Sequence, residues 1–127
     1  MLLHHVACCH TDLGHLDEAV AAHEECLALV RQFGQREGEA YTLAELGRTH
    51  LAARRPAAAI LHLRHAIDLF QELGDANATA VFLTDLGHAH RAAGEYDLAR
   101  TVWSEALDFF APRDPAMTDQ IRALLAG

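Results

Sequence analysis

Apolar residues recur along the chain at helical spacing, and the whole pattern repeats with a period of about 40 residues. The pair Leu46-Gly47 returns at Leu86-Gly87 and, in a softened form, at Val6-Ala7. Further sets keep the same spacing without a gap: Leu3, Leu43 and Leu83; His10, His50 and His90; Ala19, Ala59 and Ala99; His23, Leu63 and Trp103; Cys26, Ala66 and Ala106; Leu27, Ile67 and Leu107. So many coincidences at one spacing indicate a repeated structural unit.

Each unit predicts two helices that pack closely as a hairpin. Apolar positions at helical spacing over 43–50 predict the first helix. The small residue Gly47 lets the second helix approach closely, and Ala59 and Ala66, two turns apart on one face, do the same from the other side. Gly74 sits where the second helix should end, because glycine adopts the left-handed conformation without steric cost.

The pattern aliphatic-x-x-Leu-Gly-x-x-His, followed by Ala, a bulky residue and a further Ala, resembles the tetratricopeptide repeat over essentially the whole chain. The resemblance implies an all-α fold, a right-handed superhelix of antiparallel helix hairpins. This chain departs from the family in having His10, His50 and His90 where Tyr is usual, and in lacking the closing proline of the first two units. Its period is about 40 residues where the family has about 34 residues, which predicts a longer second helix.

The repeat register predicts three units, at about 1–36, 37–76 and 77–114, in a single domain. Asp114-Pro115 is typical of a helix start, so we expect a capping helix over 115–126. The same register puts Met1 inside a first helix and Gly127 at the Leu-Gly position of a fourth unit. We therefore expect a segment of a longer array. A protomer whose open end is covered by another chain is a compatible alternative.

A second resemblance lies in the segment 67–76, Ile-Asp-Leu-Phe-Gln-Glu-Leu-Gly-Asp-Ala, which leads into the next Leu-Gly pair. It resembles the long-repeat sensor arrays of Streptomyces antibiotic regulatory proteins and related STAND-type signal-transduction ATPases. The resemblance implies a protein-interaction scaffold, acting as the sensor or assembly segment of a bacterial signalling or transcriptional regulator. The implied partner is a peptide or protein.

The first helices of such repeats line a concave groove, and the resemblance implies that a ligand binds there. The residues that match those positions are His4, His5, Cys8, Thr11 and Asp12 in unit one, Ala44, Glu45, Arg48 and Leu51 in unit two, and Thr84, Asp85, His88 and Arg91 in unit three. Arg48 and Arg91 are able to grip a carboxylate with two hydrogen bonds. Alternatively, Arg48 pairs internally with Glu45 or Asp85 on a solvated face.

Charge and composition argue against two classes of partner, nucleic acids and membranes. The net charge of −8 and the absence of lysine argue against direct nucleic-acid binding, which needs clustered basic residues. No stretch is long and apolar enough to span a membrane, and the three cysteines lack a disulfide framework. We therefore expect a cytoplasmic protein. Self-association into a homodimer through exposed end helices is the alternative function.

Candidate chemistry in the sequence is sparse. His4/Cys8 and His5/Cys9 are i,i+4 pairs, which suggests a metal or small-ligand sensor, but a structural zinc needs four ligands and the pairs point about 100° apart. We therefore predict no metal and no cofactor. The repeated histidines favour packing over a pH-sensing role, because they recur once per unit. No catalytic motif is present, so no enzymatic activity is predicted.

Overall fold

Six α-helices make up the described part of the chain, residues 15–110 and 114–127 of the computed structural model. Their bounds are α1 Leu16–Gln32, α2 Arg36–Ala52, α3 Pro56–Glu72, α4 Ala76–Ala92, α5 Tyr96–Phe110 and α6 Pro115–Ala126. Each helix packs against the next along the chain, and α2 also contacts α4. The fold is therefore an all-α stack of sequential antiparallel helix pairs, which confirms the predicted fold class.

Helices α1 to α4 have the same length, 17 residues each. The starts of α1 to α5 are also evenly spaced along the chain, so each repeat unit contains two equal steps. The extra length of the unit therefore falls on α2 and α3 equally, whereas the prediction named only the second helix. The links between these helices are short, so a unit of about 40 residues accommodates two helices of this length.

The same hydrogen-bonded turn ends each of these four helices. After α3, the amide of Gly74 donates to the carbonyl of Gln71 at 3.1 Å, and the amide of Asp75 donates to the carbonyl of Phe70 at 2.9 Å. This pair of bonds satisfies carbonyls that the helix leaves open, and it requires a left-handed residue at the turn. The turn explains why glycine recurs at the helix ends.

Arg54 occupies the turn position that glycine fills elsewhere. Gly34, Gly74 and Gly94 have φ angles of 66°, 73° and 80°, and Arg54 has a φ angle of 61°. A side chain in this conformation brings its Cβ close to the following carbonyl. The link between α2 and α3 is therefore strained at a point where the other links are not.

An aspartate caps the start of α4 and of α6. The side chain of Asp75 accepts from the amide of Ala78 at 3.0 Å, and that of Asp114 accepts from the amide of Met117 at 3.1 Å. The second cap starts α6 at the position that the sequence predicted for the capping helix. The placement of Gly127 at the Leu-Gly position of a fourth unit stays a prediction.

The helices of a pair approach each other closely at the two repeated glycines. A Cβ added at Gly47 would lie 2.5 Å from Cγ of Leu63, and one added at Gly87 would lie 2.1 Å from Nε1 of Trp103. Any larger residue would push the helices apart. The facing alanines of the second helices are buried as predicted: Ala59, Ala66, Ala99 and Ala106.

The repeated histidines are packed inside the stack. His50 and His90 are 8% and 4% exposed, which confirms the packing interpretation for these two; His10 lies outside the described residues. The ring of His50 stacks on that of His62, with centroids 5.2 Å apart. Burial is the main cause that lowers the pKa of both rings, and the charge of His50 lowers that of His62 further.

Replacing Arg54 with glycine should stabilise the protein. Removing the side chain relieves the left-handed strain, so we expect the free energy of unfolding to rise by about 1 kcal/mol and the Tm by about 4 °C. The reverse change, Gly74→Ala, should lower stability by a similar amount, since its Cβ would meet no neighbour within 4 Å and only the backbone would be strained. Thermal denaturation followed by circular dichroism measures both. A lower Tm for Arg54→Gly would contradict the assignment of strain.

Mild acid should destabilise the α2–α3 pair. The folded pKa values of His50 and His62 lie below the unfolded value of 6.5, so below that pH the unfolded chain binds more protons. The stabilising contribution is complete above about pH 6.5 and is lost as the pH falls toward the folded values. Urea denaturation should show a decreasing free energy of unfolding from about pH 7.5 to about pH 5.5, with a smaller decrease in His62→Gln. Constant stability across this range would contradict the account.

Candidate functional site

Part of the predicted groove lies outside the described residues. His4, His5, Cys8, Thr11 and Asp12, the candidates from unit one, all precede residue 15. The candidate metal ligands His4 and Cys8 are among them. The groove is therefore described from α2 onward, and the unit-one candidates stay predictions.

A groove of about 310 Å³ lies between the two first helices, α2 and α4. Glu45 and Arg48, both predicted from the sequence, line it from α2. The remaining lining residues come from α2, from α4 and from the α4 cap: Tyr41, Asp75, Asn77, Ala78, Val81 and Phe82. The structure thus forms a concave surface at the predicted position in the repeat.

Aromatic rings form the floor of this groove. The ring of Tyr41 packs edge-on against the rings of Phe70 and Phe82, with ring centroids 4.8 Å and 6.3 Å apart. The rings of Phe70 and Phe82 stack on each other, with centroids 5.3 Å apart. Tyr41 is 39% exposed, whereas the two phenylalanines are buried. Burial raises the pKa of the Tyr41 hydroxyl, so it stays a neutral hydrogen-bonding group at the surface of an apolar floor. Such a floor is able to bury an apolar side chain of a ligand.

Arg48 ties the two sides of the groove together. Its Nε donates to Oδ2 of Asp85 at 2.7 Å, and its Nη1 donates to Oε1 of Glu45 at 3.3 Å. The guanidinium also lies over the ring of Phe82, 4.6 Å from its centre. The internal pairing considered for Arg48 is therefore present with both carboxylates. A ligand carboxylate would have to displace Asp85 or share the guanidinium with it.

Three other candidates on the first helices do not line this groove. Ala44 is fully buried. Leu51 is half-buried and packs against the core, and the hydroxyl of Thr84 donates to the carbonyl of Ala80 at 3.1 Å. These three side chains therefore contribute to packing and helix structure, and they do not contact a ligand in the groove.

His88 and Arg91 lie farther along α4 and contact Trp103 on α5. The guanidinium carbon of Arg91 is 5.4 Å from the centre of the Trp103 ring, and the ring of His88 meets the same indole edge-on at 5.5 Å. Burial is the main cause that lowers the pKa of His88, and the charge of Arg91 adds to it. Within residues 15–110 and 114–127, no carboxylate pairs with Arg91, in contrast to Arg48.

Two residues that line the groove were not predicted from the sequence, although the repeat identifies them. Tyr41 and Val81 occupy equivalent positions in successive units, and both line the groove. Each lies one helical turn before a predicted groove residue, Glu45 or Asp85, on the same face. Extending the predicted face by one turn toward the helix start would have included both.

The described part of the chain contains neither a group of metal ligands nor a membrane-spanning helix. No group of three or more His, Cys, Asp or Glu side chains is arranged there to hold a metal ion. None of the six helices is both long and apolar enough to cross a bilayer.

Comparison with known proteins gives one sequence family and one fold. The profile of the tetratricopeptide repeat family matches residues 1–72, more than half of the chain. Regulatory protein AfsR of Streptomyces griseus is 30% identical over 112 residues, which cover 88% of this chain and 12% of that protein. The chain thus spans about an eighth of the length of this relative.

Solved structures share the fold. The crystal structure of a putative kinesin light chain of Podosopora anserina with nearly identical TPR-like repeats superposes with a TM-score of 0.83 and 18% identity. The match covers 98% of this chain and 62% of that one, and a second crystal structure of that protein, with a point substitution, gives the same values. At this identity the likeness concerns the fold alone.

The contact between Arg48 and Asp85 should contribute modestly to stability. Both side chains are partly exposed, so water and salt weaken their attraction, and we expect a coupling of about 0.5–1 kcal/mol. A double-mutant cycle with Arg48→Ala and Asp85→Ala, measured by urea denaturation, gives this coupling. A coupling of zero at low salt would mean that the pair does not tie α2 to α4 in solution.

Proposed function

Because the chain belongs to the tetratricopeptide repeat family, we propose that it is a non-catalytic protein-interaction scaffold whose groove between α2 and α4 binds a peptide segment or a partner domain. The observation that supports this most directly is the groove itself, with an aromatic floor and charged rims. Concave surfaces of this kind bury an apolar anchor and orient it through a few polar groups.

The rim charges supply the orienting contacts in this proposal. Arg48 stands between Glu45 and Asp85, so a ligand carboxylate can accept hydrogen bonds from the guanidinium while a ligand cation pairs with a released carboxylate. An extended segment with both kinds of side chain therefore suits the groove better than a uniformly charged one.

The biological setting proposed for this scaffold is a larger bacterial regulator. The chain is similar to Regulatory protein AfsR, over a small part of that protein's length. This supports a role as the sensor or assembly segment of a signalling or transcriptional regulator. A reducing, cytoplasmic location belongs to the same proposal, because the three cysteines of the sequence lack the spacing of a disulfide framework.

Blocking the groove should abolish ligand binding without unfolding the protein. Peptides selected on the immobilised chain from a random library would be measured against Asn77→Arg, which places a long side chain at an exposed position of the groove. We expect the Kd of groove-binding peptides to rise at least about tenfold, a loss of roughly 1.4 kcal/mol. Isothermal titration calorimetry gives the Kd, and circular dichroism verifies that the Tm is retained.

A matched control for this test is Ser104→Arg, which introduces the same side chain at an exposed position of α5 outside the groove lining. Peptide binding should be unchanged in this variant. If Asn77→Arg binds every selected peptide as tightly as the wild type does, the groove is not the binding site. Light scattering of the free protein distinguishes the proposed peptide scaffold from the alternative function, a self-associating module. Stable dimers would favour self-association.

A further inference from the structure

A second cleft, of about 380 Å³, lies where α4, α5 and α6 meet. Arg91 comes from the end of α4, and Arg100 and Trp103 come from α5. Tyr96, Ala99, Leu124 and Gly127 complete the lining. The cleft is thus distinct from the groove between α2 and α4, with which it shares no lining residue.

The repeat itself shows that the two arginines are a departure from the packing pattern. One unit earlier, the equivalent positions hold Leu51 and Ile60, which are partly buried and pack against the core. Arg91 and Arg100 are exposed instead. The fold therefore accepts aliphatic side chains at these positions, and it does not need a positive charge at either of them.

Positive charge is concentrated at this cleft in a protein of net charge −8. Among the described residues, its lining has two arginines and no acidic side chain. Nη1 of Arg100 donates to the carbonyl of Leu125 at 2.6 Å, which holds that guanidinium beside the end of α6. Two arginines without an acidic side chain beside them in the lining attract a negatively charged group.

The indole of Trp103 is held rigidly as one wall of the cleft. Its Nε1 donates to the carbonyl of Thr84 at 3.1 Å, in the space left by the missing side chain of Gly87. Tyr96 is 64% exposed and adds a second aromatic ring to the lining. An ordered aromatic wall such as the Trp103 indole buries apolar groups at little entropic cost.

We propose that this cleft is a second binding site, which takes an acidic side chain of a partner protein flanked by an apolar residue. The carboxylate would accept hydrogen bonds from Arg91, whose guanidinium has no carboxylate partner in the described residues, and the apolar neighbour would lie against Trp103. The volume lies in the range of small ligand pockets, which suits a few side chains rather than a folded surface. The inference rests on the proposed role in binding protein segments.

Trp103 is the single tryptophan of the sequence, so its fluorescence reports directly on the cleft. The probes are the blocked tripeptides acetyl-Leu-Asp-Leu-amide and acetyl-Leu-Asn-Leu-amide, titrated into the full chain. We expect the aspartate peptide to bind at least about tenfold more tightly than its asparagine counterpart, since charge-assisted hydrogen bonds are the stronger ones. Binding should weaken when the salt concentration is raised.

Two variants restore the residues of the preceding unit. Arg91→Leu should reduce the affinity for the aspartate peptide to that for the asparagine peptide, and the Arg91→Leu, Arg100→Ile double variant should do the same. The single variant keeps the hydrogen bond from Arg100 to Leu125, so it remains informative if the double variant folds poorly. Arg64→Gln, at an exposed position of α3, removes one charge outside the cleft and should bind as the wild type does.

Equal affinity for the two peptides, or undiminished binding in Arg91→Leu, would overturn the proposal. So would binding of 3-phenylpropionate with no binding of either peptide, because the cleft would then serve a small carboxylate. A tryptophan emission that changes with protein concentration alone would assign the cleft to a second copy of the chain. Asn77→Arg should leave peptide binding here unchanged, so failure of the α2/α4 groove and failure of this cleft are distinguishable.

Discussion

In the two hairpins that the structure describes in full, α2–α3 and α4–α5, the first helix presents a glycine to the second, and a bulky side chain fills the space that a Cβ would occupy. Leu63 lies over Gly47, and Trp103 lies over Gly87. This close approach sets the distance between paired helices, and the buried alanines on the facing helices allow it to continue along the contact. Because the same contact recurs once per repeat unit, the first helices α2 and α4 also come side by side, and the surface between them becomes a groove.

The candidate binding surfaces are formed by side chains that the close packing of the helices does not bury. The side chains that face away from the hairpin contact, Glu45 and Arg48 on α2 and Asp85 on α4, form a charged rim in which Arg48 is shared by two carboxylates. The same contact at Gly87 brings the Trp103 indole to the carbonyl of Thr84. One glycine therefore fixes both the packing of the third unit and an aromatic wall of its cleft.

The sequence predicts the fold well because its signals are local and repeated. Each repeated feature indicates one local structure: Leu-Gly pairs and alanines two turns apart indicate close helix packing, and glycines indicate helix ends. Because the features agree between units, the assignment of the helices is unambiguous. Helix lengths were less predictable, since Arg54 continues the turn pattern without glycine and hides the equal division of the unit. The lining of the groove was predicted in part: Glu45 and Arg48 follow from helical position. The pairing of Arg48 with Asp85 depends on the distance between α2 and α4, which the sequence does not give. The cleft was not predictable, because Arg91, Arg100 and Leu124 come from three helices.

The face between the first helices, α2 and α4, is the proposed binding site for a protein segment. Chemical-shift mapping tests it most directly, with a peptide selected on the protein titrated into the isotopically labelled chain. We expect the largest shifts at groove positions on both helices: Tyr41, Arg48, Asn77 and Val81. Exposed positions of α1 and α3, such as Glu25 and Arg64, should change little. Shifts confined to α1 and α3, with none on α2 and α4, would contradict it.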